Sequence, residues 1–211
     1  MRTRLTGVVA ALSLLLAGCG GAQAGSPATP TESTSPYPSR SSASKPGHSQ
    51  APRDLPEVID PIDVTTWLQE PCSVLTNEQL AKLSISTEPE PKTSATGPTC
   101  EWGDVFDDGI TIEGSFGTKS TSTIPGFFRN NELGKYSYFV PVTIRGYPGA
   151  LFGIADDRDG GGCGIAIALR KKHMYAISLR LGEERPNYSD PCSVLKGIAQ
   201  MAVKSMTQGS S

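Results

Sequence analysis

One pentapeptide occurs twice in this chain of 211 residues. Pro71-Cys72-Ser73-Val74-Leu75 returns as Pro191-Cys192-Ser193-Val194-Leu195, each copy behind an acidic residue, Glu70 or Asp190. An acidic cap followed by proline at the first helical position is a helix-start pattern. Each copy therefore sets a cysteine at, or just before, the start of a helix. The sequence between the copies has no fixed period, so the echo is not read as an internal duplication. The chain has five cysteines. With Cys19 set apart on the grounds given next, Cys72, Cys100, Cys163 and Cys192 remain, an even set that argues for two disulfides in an exported domain. Three connectivities are open. The echo favours one solution used twice, a helix-start cysteine bridged to a cysteine in a neighbouring strand. That pairs Cys72 with Cys100 and Cys163 with Cys192. A four-cysteine zinc site is disfavoured, because no C-x-x-C is present and all four thiolates would have to converge.

The N-terminus explains why Cys19 stands apart. Arg2 and Arg4 precede an apolar run from Leu5 to Leu16. The run is shorter than the ~20 apolar residues a bilayer-spanning helix needs, and its length suits the apolar region of a secretory signal. It ends in Leu16-Ala17-Gly18-Cys19, the pattern of a bacterial lipobox. Small residues at 17 and 18 suit a narrow peptidase site, and the Cys19 thiol is the nucleophile that would take a diacylglyceryl group. Cleavage before Cys19 would leave it N-terminal, with acyl chains each contributing ~0.8 kcal/mol per buried methylene. An ordinary signal cut near Ala22-Gln23-Ala24 is the alternative.

Residues 20–53 are Ser, Thr, Pro, Ala and Gly with scattered charges, and hold no Val, Ile, Leu, Met, Phe or Trp. Such a stretch has too little apolar surface to offset its conformational entropy, and is expected to be a disordered tether. His48 lies within it. Residues 1–54 carry five basic and two acidic groups, so the chain's net −2 leaves the remainder at −5. Nucleic-acid binding is disfavoured for an acidic domain whose only basic cluster is Arg170-Lys171-Lys172.

Beyond the tether the pattern predicts helix, strands, helix. Thr76 with Gln79 reads as a capping box opening a helix that runs to about Leu83. Cys100-Glu101-Trp102 and the alternating stretch Ile110 to Phe116 read as strands. Thr123 to Leu133 suits a short irregular helix. Tyr138 to Arg145 and Ala150 to Ala155 read as strands about a turn at 146–149. Cys163 to Arg170 and His173 to Leu181 alternate about Lys171-Lys172 and predict a hairpin. Asp190 and Pro191 open a last helix with the apolar stripe Val194, Leu195, Ile198, Met201, Ala202 and Met206. The expected fold is α+β: an antiparallel sheet with helices packed on one face and two disulfides. Three segments follow: a signal peptide over 1–18, a tether over 19–59 with Cys19 lipidated, and a single α+β domain over 60–211.

Residues suited to catalysis are sparse. There are only two histidines; His173 sits at a hairpin turn, and no G-x-S-x-G occurs. Asp156-Asp157-Arg158-Asp159-Gly160 has part of a calcium-loop pattern, but positions one and twelve would be Ala155 and Ala166. Asp104, Asp107 and Asp108 are read as a solvated loop in the same way. Asn187-Tyr188-Ser189 fits a glycosylation sequon by pattern alone. Phe127, Phe128, Tyr136, Tyr138 and Phe139 are assigned to core packing ahead of a ligand groove.

Several motifs in order carry a resemblance: Cys19 at its lipobox, the Ser/Pro tether, Pro71 to Thr76 leading into Gln79-Leu80, and Cys100-Glu101-Trp102. Arg145 to Ala150, Cys163 in a strand, and the final Pro191-Cys192 helix continue it. In these the chain resembles an uncharacterised family of actinobacterial lipoproteins known only as a domain of unknown function, over roughly residues 65–208. The family pattern of a Gly-x-Pro-Ala turn is altered here, since Gly149 separates Pro148 from Ala150. The resemblance implies an exported, membrane-anchored, non-catalytic protein with no agreed ligand and no cofactor. The element order is similar to the PsbP-like α+β fold. The expected role is a binding or interaction module lipid-anchored at the extracytoplasmic face of the cell membrane. Its partner would be an envelope protein, a glycan or a small hydrophobic ligand; an envelope hydrolase with dispersed catalytic residues is the alternative.

Replacing Cys19 tests the anchor. Cys19→Ala removes the only sulfur able to form the thioether, so the variant should leave the detergent phase in phase partitioning while the wild type stays in it. Equal partitioning would refute the lipobox reading.

Overall fold

The computed structural model describes residues 57–119 and 123–209. All of them belong to one compact unit, Ser44–Ser211. Cys19, the expected signal peptide and nearly all of the expected tether lie outside the described residues.

Two short helices come first, α1 (Thr65–Gln69) and α2 (Asn77–Lys82), with a 3-10 turn, Pro71–Val74, between them. Strands β1 (Glu90–Thr93), β2 (Pro98–Trp102) and β3 (Ile110–Gly117) follow, then helix α3 (Ile124–Glu132). Strands β4 (Tyr138–Ile144), β5 (Tyr147–Gly153), β6 (Gly162–Arg170) and β7 (His173–Leu181) lead to the long helix α4 (Pro191–Gln208). The seven strands form one sheet in the order β1-β2-β3-β7-β6-β5-β4, and every neighbouring pair is antiparallel.

Local signals account for the elements. Thr76 Oγ1 accepts from the Gln79 amide at 3.3 Å, and the Thr76 amide donates to Gln79 Oε1 at 2.9 Å. This is the capping box expected at α2. The Gln79 side chain also donates to Ser205 Oγ at 3.0 Å and to the Met201 carbonyl at 3.3 Å. The third residue of α2, half of its capping box, thereby fastens it to α4. Asp190 caps α4 by accepting from the Ser193 amide at 3.3 Å, with Pro191 in the first turn.

Period-two alternation divides the sheet's residues between two faces. On one face Trp102, Ile112, Phe116, Ile165, Ile167, Tyr175, Ile177 and Leu179 are buried with Trp67, Leu80, Leu195, Ile198 and Met206 from the helical segments. This is the helix-covered face the sequence predicts, and it holds the main core. Helix α3 adds to that picture from the opposite side. Its Ile124, Phe127 and Phe128 pack on Ala150, Ala166, Ala168 and Met174. Three adjacent alanines leave room above the strands for two bulky rings, so nine helical residues suffice to seal this part of the second face.

Both bridges connect a helix start to a strand. Cys72 is bonded to Cys100, with Cα atoms 5.0 Å apart, and Cys163 to Cys192, with Cα atoms 5.3 Å apart. Loops of 28 and 29 residues' separation give each on the order of 3–4 kcal/mol in the chain-entropy account. Beside the first bridge, Trp102 Nε1 donates to the Cys72 carbonyl at 3.3 Å.

The β4–β5 turn differs from expectation. It comprises only Arg145 and Gly146, both at positive φ (50° and 90°), and β5 begins at Tyr147. Such a pair suits a two-residue hairpin turn. The turn-like residues Pro148 and Gly149 lie in the strand instead. A Cβ on Gly149 would collide with the Ala166 carbonyl oxygen, so this glycine lets β5 and β6 approach closely.

Gly114 offers the sharpest test of this packing. A Cβ there would strike the Tyr175 hydroxyl and come within 2.9 Å of the Trp102 ring. Both rings are fully buried. Gly114→Ala should therefore cost roughly 1–3 kcal/mol through overpacking, read as a lower urea midpoint. An unchanged midpoint would show that the core yields at no cost.

Candidate functional site

The second face is only partly covered. Helix α3 closes the β5–β6 side; Thr99, Ser115 and Met174 are also buried, but Glu101, Thr111, Glu113, Ser178 and Arg180 stay at least partly exposed. One cross-strand row spans all seven strands: Glu90, Glu101, Glu113, Ser178, Gly164, Phe152 and Phe139 are successive partners. In its middle, Ser178 and Gly164 are small. The row therefore dips between the carboxylates at one side and the Phe152 ring at the other. A trough of ≈ 440 Å³ lies there, bordered also by Thr111, Tyr138, Ile154, Asp157 and Arg180.

Ion pairs engage Glu101, Asp157 and Arg180 of the trough. Lys92 Nζ lies 2.9 Å from Glu101 Oε1 and 3.3 Å from Glu90. The hydrogen bond to Glu101, above all, holds the lysine above its ordinary pKa. Arg180 donates to Asp157 Oδ2 at 2.8 Å and to the Gly160 carbonyl at 3.3 Å. Glu113 directly faces Glu101 across the β2–β3 pair, a juxtaposition of like charges that costs stability. At the trough's wall, the Tyr138 hydroxyl accepts from the Gly164 amide at 3.3 Å, and Arg158 sits 4.3 Å over the Tyr138 ring. Burial raises the Tyr138 pKa.

Of the residues singled out from sequence, Tyr138 and Asp157 border the trough and most of the others fall elsewhere. Cys72, Cys100, Cys163 and Cys192 form the two bridges, with only Cys163 bordering the trough. His173 begins β7; Ser178 is five residues further along, a distance of roughly 16 Å at strand spacing. Desolvation, followed by the Arg170 charge, lowers the His173 pKa. Phe127 and Phe128 are core residues, as expected, with Phe127 ring centroids 4.7 Å from Phe152 and 5.3 Å from Phe139. Among the described residues no group of three or more His, Cys, Asp or Glu side chains is placed to hold a metal ion.

The acidic loops have structural uses instead. Asp108 accepts from the Ser86 amide at 3.0 Å, Ser86 Oγ at 2.9 Å, the Thr87 amide at 3.3 Å, Thr87 Oγ1, and the Asp104 amide at 3.2 Å. It clamps the segment after α2 to the β2–β3 loop. Asp156 pairs with Arg158 through two bonds of 2.7 and 2.6 Å. The trough residues Thr111, Glu113, Ser178 and Arg180 were not identified from sequence. Their signal is the polar half of the alternation in β3 and β7.

The chain belongs to a family described as a protein of unknown function, DUF3558, whose model matches residues 14–205. No curated protein and no solved structure matches it. The family match takes in Cys19, the Ser/Pro segment and the described unit up to Ser205. No helix among the described residues is long and apolar enough to cross a membrane.

Asp108 sets a pH dependence. Hydrogen bonds, first from Thr87 and then from Ser86, hold its carboxyl well below the usual range in the folded state. Its contribution is therefore complete above the unfolded value of about 3.9 and is lost as pH falls below that toward the folded value. Asp108→Asn should lower the melting temperature at pH 7 by a few degrees, for roughly 1 kcal/mol. The gap from wild type should narrow below pH 3. A gap independent of pH would refute the assignment.

Proposed function

We propose that the protein is a non-catalytic binding module of the cell envelope, lipid-anchored through Cys19 at the extracytoplasmic face, with the open trough as its ligand surface. The single observation that carries the reading is the incomplete cover on the second face of the sheet. One face is sealed by α1, α2 and α4, and α3 seals part of the other. The remaining part is a recess in which Glu101 is paired with Lys92 from the edge strand and Arg180 with Asp157. Preorganised groups lose less entropy on binding. The proposed diacyl anchor and a tether rich in Ser and Pro would set this face at a distance from the bilayer, where envelope components are within reach.

Photo-crosslinking in intact cells tests the surface. A benzophenone side chain at Ser178, exposed in the trough, should capture envelope material, whereas the same group at Lys204, exposed on α4 across the sheet, should not. Equal capture from both positions, or none from Ser178, would overturn the proposal.

A further inference from the structure

We infer that the trough takes a neutral or amine-bearing saccharide chain; this rests on the trough being the ligand surface. The lining decides the class. Glu101 and Glu113 offer acceptors, Arg180 offers donors, and the hydroxyls of Thr111 and Ser178 offer both. An apolar ligand would desolvate these groups without pairing them, which is costly. A sugar ring carries hydroxyls that donate and accept in the same directions, and an apolar C–H face that suits the Phe152 ring and Ile154 at the trough's other side. Strand spacing sets the length. From Glu113 on β3 to Phe152 on β5 is three strand steps, roughly 14 Å, and the recess is open to solvent above, so a chain can lie along it.

Charge narrows the class further. Lys92 and Arg180 are engaged with Glu101 and Asp157, and Glu113 stands beside Glu101 without a cation of its own in the recess. A phosphorylated or uronate chain would add a third negative group to this pair. Hydroxyl donors or an ammonium would instead offset the repulsion between the two glutamates. Arg180 keeps its position through Asp157 and the Gly160 carbonyl, so its remaining donors are aimed without further ordering of the side chain.

The test titrates the full chain in detergent micelles with three soluble probes, chitotriose, maltotriose and trigalacturonate, followed by saturation-transfer NMR and calorimetry. Saturable binding of at least one of the first two is expected, with trigalacturonate weaker. Glu113→Gln, on an exposed side chain, should weaken binding on the order of tenfold or more with a melting temperature no lower than that of the wild type. Lys204→Gln should leave binding as it was. No binding of any probe, a preference for trigalacturonate, or indifference to Glu113→Gln would overturn the saccharide assignment. The crosslink from Ser178 separates this from failure of the surface itself: protein captured there would keep the trough as the site and reject the saccharide, and no capture would reject both.

Discussion

Cys72 is the residue on which both faces of the sheet depend. It is held twice from β2, by the bond to Cys100 and by Trp102 Nε1 on its carbonyl oxygen. The two anchoring residues are two apart in the strand and so project to the same side. They draw the Pro71–Val74 turn down on the sheet, and Trp102, Val74 and Leu75 are buried as a result. Glu101, between them, must then project to the other side. One tripeptide, Cys100-Glu101-Trp102, thus builds part of the core on one face and part of the trough on the other.

The second bridge repeats this arrangement further along the same face of the sheet. Cys192 in the first turn of α4 is bonded to Cys163 in β6, fixing the longest helix over the strands that bury it. Hydrophobic packing would hold α4 in place once folded, with Leu195, Ile198, Ala202, Val203 and Met206 all inside. The bridges act on the unfolded chain, by restricting what it can explore. Two local loops do this without tying distant segments together. The short helices α1 and α2 gain most, because helices of five and six residues have little stability of their own.

Much of this was legible in the sequence where a local rule and the tertiary structure agree. Alternation marks β6 and β7, the Thr76/Gln79 box marks α2, Asp190-Pro191 marks α4, and the twice-used pentapeptide identifies the bridge pairing. Other elements are set by non-local demands. All four residues of β1 are exposed, so no apolar alternation marks it, and Pro91 with Lys92 suits an edge strand that must not pair further. Gly149 is a strand glycine because of the Ala166 carbonyl on a neighbouring strand, which no local pattern records. The face chosen by α3 follows from Ala150, Ala166 and Ala168 being side by side, which requires the register of β5 with β6. The trough is hidden for the same reason: Glu101, Glu113, Ser178 and Gly164 come from four strands and form a row only once the sheet is paired.

That row also departs from what stability alone would select. Directly opposed glutamates on adjacent strands repel. Lys92 relieves Glu101 from the edge strand, but its position against Glu90 and Glu101 leaves Glu113 on the inner side of the pair. Glycine at 164 has a different cause, close approach of β5, because a Cβ there would lie 2.7 Å from the Phe152 carbonyl oxygen. The other face of the same strands is apolar: Ile112, Ile165, Ile177 and Leu179 are buried there, and the Tyr175 and Trp102 rings fill the space over Gly114. Departures from local consistency are expected to collect where a protein has work to do besides folding. Here the opposed glutamates sit side by side in one row, on the part of the sheet that no helix covers.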